Sequence, residues 1–215
     1  MDFTVASYAA WRADEASAKP DVSFIPPLER RRLTGVERAA LSVAWQVRPE
    51  GEVPVVFASR WGEIGVTLKL MTQFHADREM SPAGFSASVH NAAPGAFSLL
   101  TRNHAPYTAI AARERSLEAG LLEALTQGAA VAGRPPYRGA VVFVFAEEAT
   151  PAFYAPAFGP LQPACALAVR LEPGGPCRAD FRSAECPPVS FDAADAFFSG
   201  RADALEGESF TLTRA

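Results

Sequence analysis

Residues able to do chemistry gather in one stretch of this chain, 86–124, which reads SASVHNAAPGAFSLLTRNHAPYTAIAARERSLEAGLLEA. The spacing predicts an apolar strand at Tyr107–Ala112 and a helix from Ser116. Between them lies the turn Ala112-Arg113-Glu114-Arg115-Ser116. A turn of this kind can activate a nucleophile, because the positive end of the helix stabilises a thiolate and lowers the pKa of the thiol. No cysteine stands there, and any functional reading has to explain that absence.

Glu114 is the sharpest candidate in it. A carboxylate at a helix start is favoured by the dipole, and between Arg113 and Arg115 it is expected to be ionised. The structural reading makes it an acid that completes the turn, and the functional reading places it in a binding pocket. A carboxylate is a weak nucleophile, so direct attack is not expected of it. Arg113 and Arg115 are candidate substrate-binding groups. Ser116 is a catalytic candidate by type, but it lacks a G-x-S-x-G setting and reads as a helix N-cap. His90, a candidate base, and Asn91, a candidate binding residue, fall at a turn between helical pieces. A histidine there is also readily explained as structural.

Other chemistries find no support. His75 and His104 lack Cys or His partners at ligand spacing, and Glu63 and His75 are too distant in sequence to argue for a metal site. Neither a P-loop nor G-x-G-x-x-G occurs, so no cofactor is expected. Cys165, Cys177 and Cys186 show no C-x-x-C spacing and are expected to be free thiols, with Cys165 on an apolar strand.

The elements that must position these residues alternate between strand and helix. Strands are expected at Phe3–Ala9, Pro54–Ser59, Tyr107–Ala112, Gly139–Phe145, Ala164–Leu171 and Phe210–Thr213. Thr34-Gly35-Val36-Glu37 fits a capping box and opens a helix with Val36, Ala40, Val43, Ala44 and Val47 on one face. Further helices are expected at Gly62–His75, after Ser81-Pro82, at Ala93–Leu100, from Ser116 to about Val131, and at Phe191–Phe198. The segment Asp14–Arg32 reads mostly as loop, as does Thr150–Pro163. Gly139–Phe145, GAVVFVF, has the continuous apolar pattern of a strand buried on both faces. Together these predict a layered α/β domain with a mixed sheet covered by helices. One domain is expected over 1–215, with 173–215 a C-terminal extension packing on it.

Composition narrows the classes. With 215 residues, 49% of them apolar, the chain can bury a sizeable core. A net charge of -4 argues against generic nucleic-acid binding. The early acids of MDFTVASYAAWRADEA do not suit a signal peptide, and no apolar run is long enough for a membrane span. A cytoplasmic location is therefore expected. Glu29-Arg30-Arg31-Arg32 reads as a solvated run, with a phosphate or acidic-carrier site as the alternative.

The order of several segments resembles the N-terminal half of a β-ketoacyl synthase. It is similar in particular to the short ketosynthase-like domain of bacterial aryl polyene and xanthomonadin-type pigment clusters. The segments are Phe57-Ala58-Ser59-Arg60-Trp61-Gly62-Glu63, Ser88-Val89-His90-Asn91-Ala92-Ala93-Pro94-Gly95, Glu118-Ala119-Gly120-Leu121-Leu122-Glu123-Ala124 and Pro163-Ala164-Cys165-Ala166-Leu167-Ala168-Val169-Arg170-Leu171-Glu172. The resemblance as a whole spans roughly residues 24–172. The resemblance implies half of a thiolase-like fold and puts Glu114 where the family has its cysteine. The family's two assisting histidines belong to a second half not represented here, and all three histidines of this chain lie before residue 105. Condensing activity by this chain alone is therefore not expected.

The resemblance also implies partners: a homodimer, or a heterodimer with a full-length ketosynthase, and an acyl carrier protein. The function it suggests is a non-catalytic or atypical ketosynthase-like protein of fatty-acid or polyketide biosynthesis, acting as partner or acyl-binding subunit. The alternative is a small acyltransferase, hydrolase or decarboxylase on carrier-bound acyl groups, using His90, Glu114 or Ser116.

Overall fold

The computed structural model describes residues 1–13, 19–131, 139–158 and 162–214. Its elements in chain order are β1 (Asp2–Arg12), α1 (Pro27–Arg30), α2 (Gly35–Val47), β2 (Val55–Ala58), α3 (Ile64–Asp77), α4 (Pro82–Ala87), α5 (Ala92–Thr101) and β3 (Tyr107–Ile110). There follow α6 (Ser116–Val131), β4 (Val141–Glu147), α7 (Ala155–Phe158), β5 (Cys165–Pro173), β6 (Cys177–Phe181), α8 (Phe191–Phe198), β7 (Ala204–Glu206) and β8 (Phe210–Arg214). The strands form one sheet in the order β3-β2-β4-β5-β1-β6-β8-β7. β2 runs parallel to both β3 and β4, and the remaining pairs are antiparallel. The mixed sheet expected from the alternation of elements is present.

Cover by different helices on the two faces is visible in β4. Val141, Phe143 and Phe145 enter the core beneath α6 and α8, whereas Val142, Val144 and Ala146 enter the core beneath α2 and α5. A strand with two helix-covered faces has no solvent side, and this produces the unbroken apolar run. The two faces differ in side-chain size. On β5, Leu167 and Val169 face α6, while Ala166 and Ala168 face Ala39, Ala40 and Ala44 of α2. Small residues on both sides let α2 lie close to the sheet. On the other face Gly120 serves α6, since a Cβ there would stand 2.5 Å from Ala58 Cβ and 2.7 Å from Phe143 Cε2.

The capping box forms in full. Glu37 N donates to Thr34 Oγ at 3.1 Å, and Thr34 N donates to Glu37 Oε2 at 2.8 Å. The segment expected as loop before it contains the single turn α1, and 14–18 lies outside the described residues. The Thr150–Pro163 segment likewise contains a 3-10 turn, Ala152–Tyr154, and α7, with 159–161 outside the described residues.

β6 and β7 were not expected. Each is short, and Pro/Gly turns and polar residues interrupt its alternation. They become strands because β1 offers its second edge to β6, which then pairs with β8, and β8 with β7. α3 and α4 sit apart from the two cores. Only Ile64 and Leu70 of α3 are buried, no residue of α4 is, and Met71, Phe74 and Phe85 face solvent.

Candidate functional site

Because β2, β3 and β4 are parallel, their carboxyl ends come out on one side of the sheet, the position where open α/β sheets form crevices. A cavity of about 260 Å³ opens there. Trp61, Leu117, Phe145, Val189 and Phe191 give it apolar walls, and Arg12, Arg60, Arg113, Glu114, Glu147 and Cys165 give it polar ones. The turn at 113–115 supplies one side. Arg113 has φ +52°, a left-handed conformation that a residue with a Cβ adopts at a cost. The chain can therefore reverse sharply between β3 and α6, as strand-to-helix turns at active sites do.

Glu114 is half-exposed and forms an ion pair with Arg60, Nη2 to Oε1, at 2.6 Å. The hydrogen bond it accepts from its own backbone N–H, aided by Arg60 and Arg113, holds its carboxyl below the usual value. Ser116 is buried and is the first residue of α6. Its Oγ donates to Arg113 O at 2.7 Å and accepts from Ala112 N at 2.9 Å. The hydroxyl thus reaches back to staple the turn instead of forward into the helix, which corrects the N-cap reading. Arg113 borders the cavity. Arg115 does not: it pairs with Glu118 at 2.9 Å and Glu208 at 2.7 Å, and donates to Cys186 O. Glu118 also accepts from Glu208 N and Ser209 N, so Arg115 belongs to a lock between α6 and the β7–β8 turn.

His90 lies outside the cavity wall, half-buried between helices. Its Nε2 is 3.0 Å from Ser59 O, and since a carbonyl only accepts, this nitrogen carries the hydrogen. The ring lies against Phe57 and fills the space beside Gly62. Asn91 is exposed and precedes α5 without capping it through its side chain. The structure therefore brings Glu114, Arg113 and Ser116 together at the cavity, and leaves His90, Asn91 and Arg115 away from it.

The residues that complete the cavity are not among the candidates that the sequence singles out. Glu147 ends β4 and holds the loop after β2: Ser59 Oγ donates to its Oε2 at 3.0 Å, Trp61 N at 3.4 Å, and Arg60 N donates to its Oε1. Burial pushes its carboxyl up to about 7 despite these donors. Strand register sets Cys165 between Glu147 and Arg12 on the two neighbouring strands. Burial, with the Glu147 charge, pushes the Cys165 thiol up to about 12, so it is a neutral wall group and not a nucleophile. Arg60 lies over the Trp61 ring, 4.4 Å from its centre. The signal in the sequence was FASRWGE followed by an acid at the end of the apolar strand, FAEE, but only the parallel pairing of β2 with β4 joins them.

A profile of the family described as beta-ketoacyl synthase, N-terminal domain, matches residues 6–196. The chain belongs to this family. Solved structures agree with half of a thiolase-like α/β fold. A chain from the ketosynthase (ApeO) in complex with its chain length factor (ApeC) from Xenorhabdus doucetiae is 22% identical with a TM-score of 0.79, and the match covers 100% of both chains. The ishigamide ketosynthase/chain length factor is 17% identical, TM-score 0.60, over 89% of this chain and 63% of that one. A beta-ketoacyl synthase from Burkholderia phymatum STM815 is 12% identical, TM-score 0.54, over 88% of this chain and 58% of that one. The chain thus spans less than two thirds of these last two. No curated protein matches it. Among the described residues no helix is long and apolar enough to cross a membrane.

Proposed function

We propose that this ketosynthase-like chain is a partner and acyl-binding subunit in a cytoplasmic polyketide pathway of the aryl polyene type, without condensing chemistry of its own. The observation that carries this reading is the state of the turn after β3. Its acid is paired with Arg60, its hydroxyl is consumed in stapling the backbone, and no thiol is presented. The strand–turn–helix scaffold is kept, while its acid is paired at the cavity mouth and its hydroxyl holds the backbone. Full-length similarity to a chain of a ketosynthase–chain length factor complex is consistent with that role.

The partner expected is a full-length ketosynthase or a second copy. Among the described residues β3 stands at the edge of the sheet, paired on one side; Tyr107 begins it, and the largely exposed Leu99 lies on α5 just before it. Exposed apolar side chains and an open strand edge are the usual components of a pairing surface. The acyl carrier protein would deliver the chain to the cavity mouth.

A second reading, a hydrolase or decarboxylase acting on carrier-bound acyl groups, draws on Glu147. A carboxyl held near 7 beside a cavity suits general acid–base work. Its oxygens already accept three hydrogen bonds from the Ser59–Trp61 loop, which favours a positioning role.

The two readings separate on incubation with acyl- and malonyl-carrier protein, alone and with a co-expressed ketosynthase. The partner reading expects no turnover by the chain alone and co-purification of the ketosynthase. Turnover by the chain alone that disappears in Glu114→Ala or Glu147→Gln would overturn it.

A further inference from the structure

Glu63 is a titratable group that the cavity does not use. It is 3% exposed, and it sits where the loop after β2 turns into α3. Its Oε1 accepts from Thr34 Oγ at 2.7 Å, and its Oε2 is buried with no hydrogen-bond partner. Thr34 has nothing further to offer, since its one O–H is given to Glu63 Oε1 and its N–H to Glu37 Oε2. The groups around Glu63 are of one sign. Glu37, buried on α2, faces it from one side and Glu148, following β4, from the other. Glu148 is itself fixed, accepting from Gly65 N in the first turn of α3 at 2.5 Å. Of the nearby basic groups, Arg60 is turned to Glu114, and His90 gives its Nε2 hydrogen to Ser59 O. The N-terminus of α3 would favour an anion, but the Glu63 side chain makes no capping bond to it.

A buried carboxylate with one neutral donor and two acidic neighbours is costly, whereas a carboxylic acid in the same place is not. We propose that Glu63 is a proton-dependent latch: as a neutral acid it closes the joint between α2 and α3, and its ionisation releases the Arg60–Glu63 loop that forms the cavity wall. Burial, reinforced by Glu37 and Glu148 against the Thr34 hydrogen bond, pushes this carboxyl up to about 8. The loop is thus held from two sides by buried carboxyls with unequal numbers of donors. Glu147 is served by donors, and Glu63 has a proton to keep. The latch goes beyond the partner reading, and holds whatever the cavity binds.

Hydrogen exchange of peptides spanning residues 59–77, read between pH 5 and 9 and corrected for intrinsic exchange, tests it on the full chain. A released Glu63 ionises at its ordinary value, so the open fraction should rise by about tenfold per pH unit and level off near the folded value. Above pH 7, where the Glu147 contribution has levelled off, Glu63→Gln, which stays neutral, should abolish the rise, and Glu147→Gln should keep it. If Glu63→Gln does not fold, Thr34→Val keeps the acid but removes its donor, and the levelling-off should move to higher pH. A flat profile in the unaltered protein, a rise that persists in Glu63→Gln, a rise lost in Glu147→Gln, or an unmoved profile in Thr34→Val would each overturn the latch.

Discussion

Arg60 Nη2 stands 2.6 Å from Glu114 Oε1, joining the end of β2 to the turn after β3 across 54 residues of sequence. The pair sits at the mouth of the cavity with both side chains partly in water. Half-exposed pairs contribute little to stability. Arg60→Ala and Glu114→Ala are therefore expected to leave the thermal midpoint nearly unchanged. A double-mutant cycle by chemical denaturation should find only a small coupling. A large coupling would show the turn to depend on the ion pair rather than on the Ser116 staple.

Gly120 carries a heavier load. Its missing side chain lets α6 touch Ala58 and Phe143 directly. Gly120→Ala adds a methyl group where none fits, and should cost about 1–3 kcal/mol in urea denaturation as helix and strand move apart. Because α6 begins at the turn, the same variant should also disturb the cavity.

The pH dependence of stability should run against the usual direction for carboxyl groups. Glu63 and Glu147 are held at about 8 and about 7, above their ordinary 4.5. A raised acid stabilises the fold fully below its unfolded value and loses that contribution as pH climbs to its folded value. While only the unfolded chain ionises, each such group costs about 1.4 kcal/mol per pH unit. The thermal midpoint should fall between pH 5 and pH 8 and flatten in the Glu63→Gln, Glu147→Gln double variant. A midpoint that rises over that range would contradict the assignment.

The three cysteines should react in order of exposure and acidity. Cys186 is half-buried, whereas Cys165 and Cys177 are buried, and the Cys165 thiol is pushed up to about 12. Iodoacetamide at pH 8 should label Cys186 first, and should reach Cys165 only on unfolding. Mass spectrometry of labelled peptides reads the order directly. Rapid labelling of Cys165 would restore a nucleophile to the cavity and weaken the partner reading.

Local pattern alone determined much of this protein. Thr34 and Glu37 specify a capping box within four residues, the apolar run at 139–145 specifies a strand with two covered faces, and Phe191–Phe198 is helical as its spacing requires. These outcomes rest on contacts between near neighbours in sequence or on a single period. The missing thiol at 112–116 is equally a matter of sequence. Tertiary structure decided the rest. β6 and β7 exist because a neighbouring strand edge supplies hydrogen bonds that their own residues do not advertise. Ser116 turned out to bond backward, and Arg115 to be spent on Glu118 and Glu208, because side chains choose partners by distance in space. Glu63 and Glu147 give no sign in the sequence of being unusual acids. Their properties come from burial and from neighbours 29 to 88 residues away, brought close only when β2 and β4 pair and α2 packs over them.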